Sequence, residues 1–215
     1  MPKLLDLCCG AGGASMGYYA AGFEVTGIDI KPQPNYPFHF YQADALEFPL
    51  EGYDAYHASP PCQAYCAYNR NGASSTKHPR LIEPIRERLI ATGKPYVIEN
   101  IYKAPLQAHI MLCGSMFGLR VRRHRYFEAP CLPLLCVPYS CNHKLTVSSG
   151  ELVGVYSRGG KGPRHGRGVR EAKPKVAKLT PFQAMEIYWM TFSELKEALP
   201  PKYTQFIGEY LLDVV

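Results

Sequence analysis

The sequence predicts an α/β protein built on a twisted, mostly parallel sheet. Three observations carry this expectation: an apolar run of strand length that stops at a glycine-rich turn, strand-like and helix-like segments that alternate after it, and acidic or nucleophilic residues that recur where the strand-like segments end. With 215 residues and 47% hydrophobic content, the chain suffices for one sizeable core and a small appendage.

The first strand is "KLLDLCC", Lys3 to Cys9, and "GAGGASMGYYAAG" follows at once. Gly10, Gly12 and Gly13 allow a tight turn and close backbone approach, so that a ligand can sit at the start of the next helix. That helix runs to about Ala21, where Gly22 stops it. "FEVTGIDI" is a second strand ending at Asp29, about 20 residues past the glycine turn, where an acid reaches ribose hydroxyls. These elements are in register for a nucleoside-containing cofactor; the alternative is a purely structural tight turn. "YQADALEF" brings a third acidic turn at Asp44, and "YDAYHAS" is a strand delivering Ser59-Pro60-Pro61-Cys62. "RLIEPIRERLIAT" has a helical pattern, and "PYVIEN" is a further apolar strand ending at Glu99 and Asn100. In such sheets the ligand crevice lies beyond the carboxyl ends of the strands, which puts Gly10, Asp29, Asp44, Cys62 and Glu99 on one rim. Cys62 follows two prolines, which fix two φ angles and donate no N–H, so its thiol is held on a stiff turn. The closing "LTPFQAMEIYWMTFSELKEAL" predicts a helix pair against the sheet, with Phe182, Met185, Ile187, Trp189, Met190, Phe192 and Leu195 as core.

Composition narrows the setting. The opening "MPKLLDLCCGAGG" lacks the apolar run of a signal peptide, and no later segment approaches the length a bilayer needs, so a cytoplasmic protein without membrane contact is expected. Its eight cysteines are then expected to be free thiols. The net charge of +6 is concentrated: Ser157 to Lys178 carries eight Lys/Arg against one acid, while the rest holds sixteen against seventeen. A Gly/Pro-rich basic stretch is either a solvated loop or a contact for a phosphate backbone, where clustered cations gain from counterion release.

"DLCCGAGG", "GIDI", "SPPCQ", "IENI", "RRHRYF" and "LTPFQAMEIYWM", in this order, resemble the successive motifs of the DNA (cytosine-5) methyltransferases. The resemblance covers nearly the whole chain apart from about Ala129 to Lys178, and the size and the ending "LPPKYTQFIGEYLL" are most similar to the short phage or prophage members. It implies a Rossmann-like, S-adenosylmethionine-dependent methyltransferase fold. It also implies three parts: a catalytic and cofactor-binding core at 1–128, a small basic target-recognition region at 129–178, and C-terminal helices at 179–215 that complete the catalytic domain. Carried over residue by residue, it makes Cys62 the nucleophile toward carbon 6 of cytosine and Glu99 the group that meets ring nitrogen 3 and the exocyclic amine. Arg123 faces the base oxygen and supports the thiolate, and Arg125 orders Glu99 or its loop. Gly10 and Gly12 approach the methionine end of the cofactor, Asp29 the ribose, Asp44 the adenine amino group and Ile30 the adenine face, with Pro61 beside them; Asp6 either joins this site or caps the glycine loop. Cys8 stands where the family commonly has Phe, Cys66 where it has Ser and Val121 where it has Gln; both cysteines read as packing. Gly208-Glu209-Tyr210 replaces a Gly-Asn-x-Val-Pro stretch that lies near the cofactor in the family, which implies that this contribution is remade.

The resemblance implies that the region from Ala129 to Lys178 is a minimal reader for duplex DNA, and Arg158, Lys161, Arg164, Arg167 and Arg170 are expected to contact phosphates while the target base flips out. So small a reader implies a short or degenerate site, or help from a second subunit. Cys131, Cys136, Cys141 and His143 have the spacing C-x4-C-x4-C-x-H, which matches no standard zinc knuckle, so scattered thiols and no metal are expected. Two competing readings stay open. Relatives with the same motifs act on tRNA, although the Cys-Phe-Thr signature of that branch is absent, and a chain that keeps the fold as a nucleic-acid binder without turnover is the third class.

Overall fold

The computed structural model describes residues 1–65, 78–132, 140–141, 143–144, 146, 151–155 and 179–215. Five strands run parallel: β1 (Lys3–Leu7), β2 (Glu24–Asp29), β3 (His39–Gln42), β4 (Ala55–Ala58) and β5 (Tyr96–Asn100). A hairpin of β6 (His109–Leu112) and β7 (Arg125–Glu128) completes the sheet in the order β3-β2-β1-β4-β5-β7-β6, with β7 antiparallel to both neighbours. The short β6, "HIML", gives too few residues for its alternation to stand out in the sequence.

Both faces of the sheet are covered, which is why β1, β4 and β5 are nearly continuous apolar runs. The two-residue period of a strand sorts their side chains. Leu4, Val25, Ala55, Val97 and Phe127 face one layer, while Leu5, Ile28, Tyr56 and Ile98 face the other. Helix α1 (Gly13–Ala21) lies on the first side and α2 (Ile82–Ala91) on the second. Arg86 of α2 ties that helix to β7 by a buried, two-pronged pair with Glu128, Nε–Oε1 at 2.7 Å and the second N–H donor to Oε2 at 2.8 Å.

The C-terminal part returns to α1. Helices α3 (Pro181–Met185) and α4 (Phe192–Leu195) each begin with a threonine whose hydroxyl accepts from the backbone three residues on, Thr180 from Gln183 and Thr191 from Glu194. Met185, Ile187, Met190 and Leu195 are core. Phe192 is not: it is 45% exposed, lying against the Phe182 ring and under the Lys196 ammonium. Helix α5 (Pro201–Leu211) then packs along α1, with the Thr204 hydroxyl donating to Ala14 O at 2.8 Å. Gly208 sits in α5 over Tyr18 and Ala21, so the stretch aligned with Gly-Asn-x-Val-Pro closes a helix contact at the far end of α1 from the glycine turn. Among the described residues no helix is long and apolar enough to cross a membrane.

From β1 the chain runs outward to β2 and β3 on one side, and β4 and β5 lie on the other. The order reverses between β1 and β4, so the crevice beyond their carboxyl ends is the place where such a sheet binds its ligand.

Candidate active site

The turn after β1 places Cys8 and Gly10 in the left-handed region at φ 59° and 50°, and Gly12 at 82°. A Cβ on Gly12 would come within 2.9 Å of Pro37 and 3.0 Å of the Tyr36 ring, so only glycine passes here. Asp29, at the end of β2, reaches back to this turn: its carboxylate accepts from Gly10 N at 3.1 Å and from Lys31 N at 2.9 Å. Each of its oxygens keeps a lone pair for hydroxyl donors. Ile30 beside it is 65% exposed, an apolar side chain open at the rim. Asp44 accepts from Leu46 N at 2.8 Å and so caps the turn after β3. The exposed isoleucine between two rim acids, above a glycine turn closed to side chains, fits a flat base with a ribose. Gly10, Gly12, Asp29, Ile30 and Asp44 would hold such a nucleoside cofactor.

Asp6 lies one layer below. It is fully buried in β1, accepts from the Ser15 hydroxyl at 2.5 Å, and its other oxygen has no partner among the described residues. The Tyr36 hydroxyl donates to Ser15 in turn, at 2.9 Å. Burial raises the Asp6 carboxyl to about 7, against the lowering effect of the Ser15 bond. Asp6 therefore acts on the start of α1, from beneath the glycine turn.

The second half of the site stands at the ends of β4 and β5. Ser59 N donates to Leu7 O at 3.0 Å, and Asn100 at the end of β5 donates its side-chain amide to Pro60 O at 2.8 Å. The Pro60-Pro61 turn is thus held from both neighbouring strands, and Cys62 opens a single helical turn, Cys62–Tyr65, with its thiol half-buried. Glu99 is buried on β5, and burial pushes its carboxyl up, opposed by Arg125, a Ser59 hydrogen bond and Arg123. Arg125 Nε stands 3.0 Å from Glu99 Oε1 as an ion pair, but without an aligned hydrogen bond, so Oε1 stays unsatisfied among the described residues. Arg123 is also buried, held through Lys196 O at 2.6 Å and Val155 O at 3.4 Å. Burial, then Arg125, push its guanidinium down to about 9, while Glu99 and Cys62 act in the opposite sense. It remains charged at neutral pH and close enough to Cys62 for each to feel the other. The whole run from Val121 to Arg125, His124 included, borders a cavity of about 320 Å³ with Val155 and Lys196.

The structure therefore gathers Cys62, Glu99, Arg123 and Arg125 at one place and Gly10, Gly12, Asp29, Ile30 and Asp44 along the adjoining rim, while Pro61 precedes Cys62 on its turn, partly buried. Arg158, Lys161, Arg164, Arg167, Arg170, Cys66 and Cys136 lie outside the described residues. Two participants have no signature in the sequence. His57 on β4 is fully buried between the Tyr18 hydroxyl, 2.9 Å from Nδ1, and the Ser59 hydroxyl, 2.8 Å from Nε2, and Ser59 goes on to Glu99. Burial lowers His57 to about 3, so a neutral ring stands in a hydrogen-bond chain that runs from Glu99 through Ser59 to Tyr18. Trp189, marked by the sequence as core alone, donates its indole N–H to Ala11 O at 2.9 Å and pins the glycine turn from the C-terminal side.

The cysteines divide by environment. Burial pushes the Cys8 and Cys9 thiols well up, which keeps them protonated and poor nucleophiles. Cys131 packs toward Tyr96 O, apart from Cys141 and His143. The expected scattering does not hold for Cys141 and His143: they converge with Cys113 and His124, two residues that the spacing in the sequence had left out.

Neither a family sequence model nor a curated protein sequence matches this chain. Among solved structures, the Entamoeba histolytica methyltransferase EhMeth superposes with a TM-score of 0.61 at 14% identity, over 99% of this chain and 98% of that one. An E. coli prophage protein described as a DNA modification methyltransferase gives 0.46 at 20% identity, over 59% of this chain and 45% of its own. The Dnmt2 methyltransferase of S. pombe gives 0.45 at 18%, over 60% and 48%. The chain spans about half the length of the latter two. With its seven-stranded, mostly parallel sheet and its crevice at the β1–β4 switch point, the chain has the Rossmann-like fold of a methyltransferase.

Proposed function

We propose that this chain is a DNA (cytosine-5) methyltransferase that acts on a cytosine flipped out of duplex DNA through a covalent bond to Cys62. The observation that supports this best is the meeting of Cys62 with Glu99, Arg123 and Arg125, with Glu99 buried, pushed toward its neutral form and holding one unsatisfied oxygen.

Carbon 5 of cytosine is a poor nucleophile, so the ring needs activation. The Cys62 thiolate, supported by the charge of Arg123, bonds to carbon 6 while Glu99 gives its proton to ring nitrogen 3 and accepts from the exocyclic amine. Arg125 keeps Glu99 in place, and Ser59 and His57 hold it from behind. The neutralised ring is enamine-like at carbon 5. S-adenosylmethionine, when bound along Gly10, Gly12, Asp29, Ile30 and Asp44, supplies the electrophilic methyl group. A base then takes the proton from carbon 5, the carbon 6–sulfur bond breaks, the thiolate leaves and nitrogen 3 returns its proton to Glu99. The stretch with Arg158, Lys161, Arg164, Arg167 and Arg170 holds the duplex phosphates. The same reading sets the protein in the cytoplasm of a bacterium or a phage-infected host.

The test is nucleoside mass spectrometry after incubation with S-adenosylmethionine and either duplex DNA or total tRNA. The proposal predicts 5-methylcytosine in DNA, lost in Cys62→Ala. A signal in tRNA alone replaces DNA by tRNA as the substrate, and silence with both, once cofactor binding is verified, leaves a nucleic-acid binder.

A further inference from the structure

The antiparallel register of β6 and β7 pairs Leu112 with Arg125. Cys113 and His124 are the next residues beyond that pair, and their ligand atoms lie within 4.8 Å of each other. Alternation governs what His124 does. Val121 and Arg123 are buried in the segment that leads into β7, whereas Arg122 and His124 are only partly buried, at the edge of the cavity that Arg123 borders. There they meet Cys141 and His143.

The four side chains close on one point. His124 Nε2 lies 3.3 Å from Cys141 Sγ and 3.0 Å from His143 Nε2, Cys113 Sγ lies 3.7 Å from His143 Nε2, and Cys141 Sγ touches His143 Nε2. All four ligand atoms fall within 4.8 Å of one another. Tetrahedral zinc at ~2.0–2.1 Å from nitrogen and ~2.3 Å from sulfur separates its ligand atoms by roughly 3.3–3.8 Å, so these contacts need small adjustments to receive the ion. Hydrogen bonding alone accounts poorly for the group, since thiols are weak donors and two imidazoles share at most one proton between facing nitrogens. The outer contacts also fit a metal centre. Ser115 Oγ approaches Cys113 Sγ at 3.3 Å and Cys141 Sγ at 3.7 Å, and Arg122 donates to His143 O at 3.0 Å.

We propose that Cys113, His124, Cys141 and His143 form a structural zinc site. Two thiolates balance the charge of the ion, and four protein ligands leave no open position for catalysis. The site joins the mouth of the β6–β7 hairpin to the segment that follows β7. Because His124 sits between Arg123 and Arg125 and borders the same cavity, fixing its ring fixes the backbone that carries both arginines there. The site stands on its ligands alone and does not depend on the activity proposed above.

Metal analysis of the full chain, purified without a metal-affinity tag from zinc-supplemented medium, is expected to find one zinc per chain after exhaustive dialysis. Cobalt replacement is expected to give the intense visible bands and thiolate charge transfer of a tetrahedral two-sulfur, two-nitrogen site. The Cys141→Ser/His143→Ala variant, changed on the outer side of the site, is expected to fold by circular dichroism but lose the stoichiometric zinc, while Cys131→Ser keeps it. Wild-type protein without metal, metal retained by the double variant, or a Cys113–Cys141 disulfide in the isolated chain would each overturn the proposal.

Discussion

Asp6 carries a pH signature that can be isolated residue by residue. Its carboxyl is raised from 3.8 to about 7 by burial, so the folded chain favours the protonated form. Its contribution to stability is therefore fully present below the unfolded value, near 3.8, and is lost as pH rises through about 7. His57, lowered from 6.5 to about 3, works in the opposite sense: its contribution is present above 6.5 and lost as pH falls toward 3. Asp6→Asn keeps a neutral group in place and leaves His57 unchanged. Urea titrations of both proteins should show the wild type losing stability relative to the variant between pH 4 and 8; parallel curves would contradict the assignment. The Glu99 carboxyl is raised as well, so turnover that needs its proton should decline as pH climbs past the shifted value. Glu99 was legible as an acid at the end of an apolar strand, and Cys62 as a thiol set just behind two prolines after one. The chain from Glu99 through Ser59 and His57 to Tyr18 was not, because it runs between side chains that only the folded sheet and α1 bring together.

Among the elements, the packing of α1 on α5 is the feature that most depends on a single missing atom. A Cβ on Gly17 would fall 2.0 Å from Thr204 Oγ1 and 2.2 Å from Pro201 O, so the helices close only over glycine. Gly17→Ala, which raises helix propensity, should nevertheless lower stability by about 1–3 kcal/mol, the usual cost of forcing atoms into a packed interface. Denaturant unfolding measures it, and a stabilised variant would mean that α5 does not sit as described. In the sequence Gly17 is only a glycine inside a helical run, with no sign of the Thr204 that meets it 187 positions later. The start and stop of α1 were readable from Gly12, Gly13 and Gly22 because their signals are local. The zinc ligands show the same limit from the other side: Cys141 and His143 stood out by spacing, whereas Cys113 and His124 are joined to them by hairpin register.

For the whole molecule, the order β3-β2-β1-β4-β5-β7-β6 puts the glycine turn with Asp29 and the turn with Cys62 on either side of one switch point. Alternating strands and helices announced the parallel part of this sheet, while the reversed β7 had no local signal. Charge is distributed on the same scale, with the basic excess confined to Ser157 to Lys178. If that stretch holds duplex phosphates, Arg164→Ala/Arg167→Ala/Arg170→Ala should weaken DNA binding and reduce the slope of log affinity against log salt by about 0.9 for each phosphate no longer neutralised. Unchanged affinity and slope would make the stretch a solvated loop.

The proposed chemistry stands or falls on the bond between Cys62 and carbon 6 of the base, and a trapped adduct reads that bond. In duplex DNA carrying 5-fluorocytosine, the fluorine cannot leave carbon 5 as a cation, so the sulfur–carbon bond persists after methyl transfer. With S-adenosylmethionine present, the mechanism predicts a denaturation-resistant protein–DNA species whose peptide map puts the methylated fluorinated base on Cys62, and no such species from Cys62→Ala. An adduct at another residue, or 5-methylcytosine formed by Cys62→Ala on ordinary duplex, would refute it.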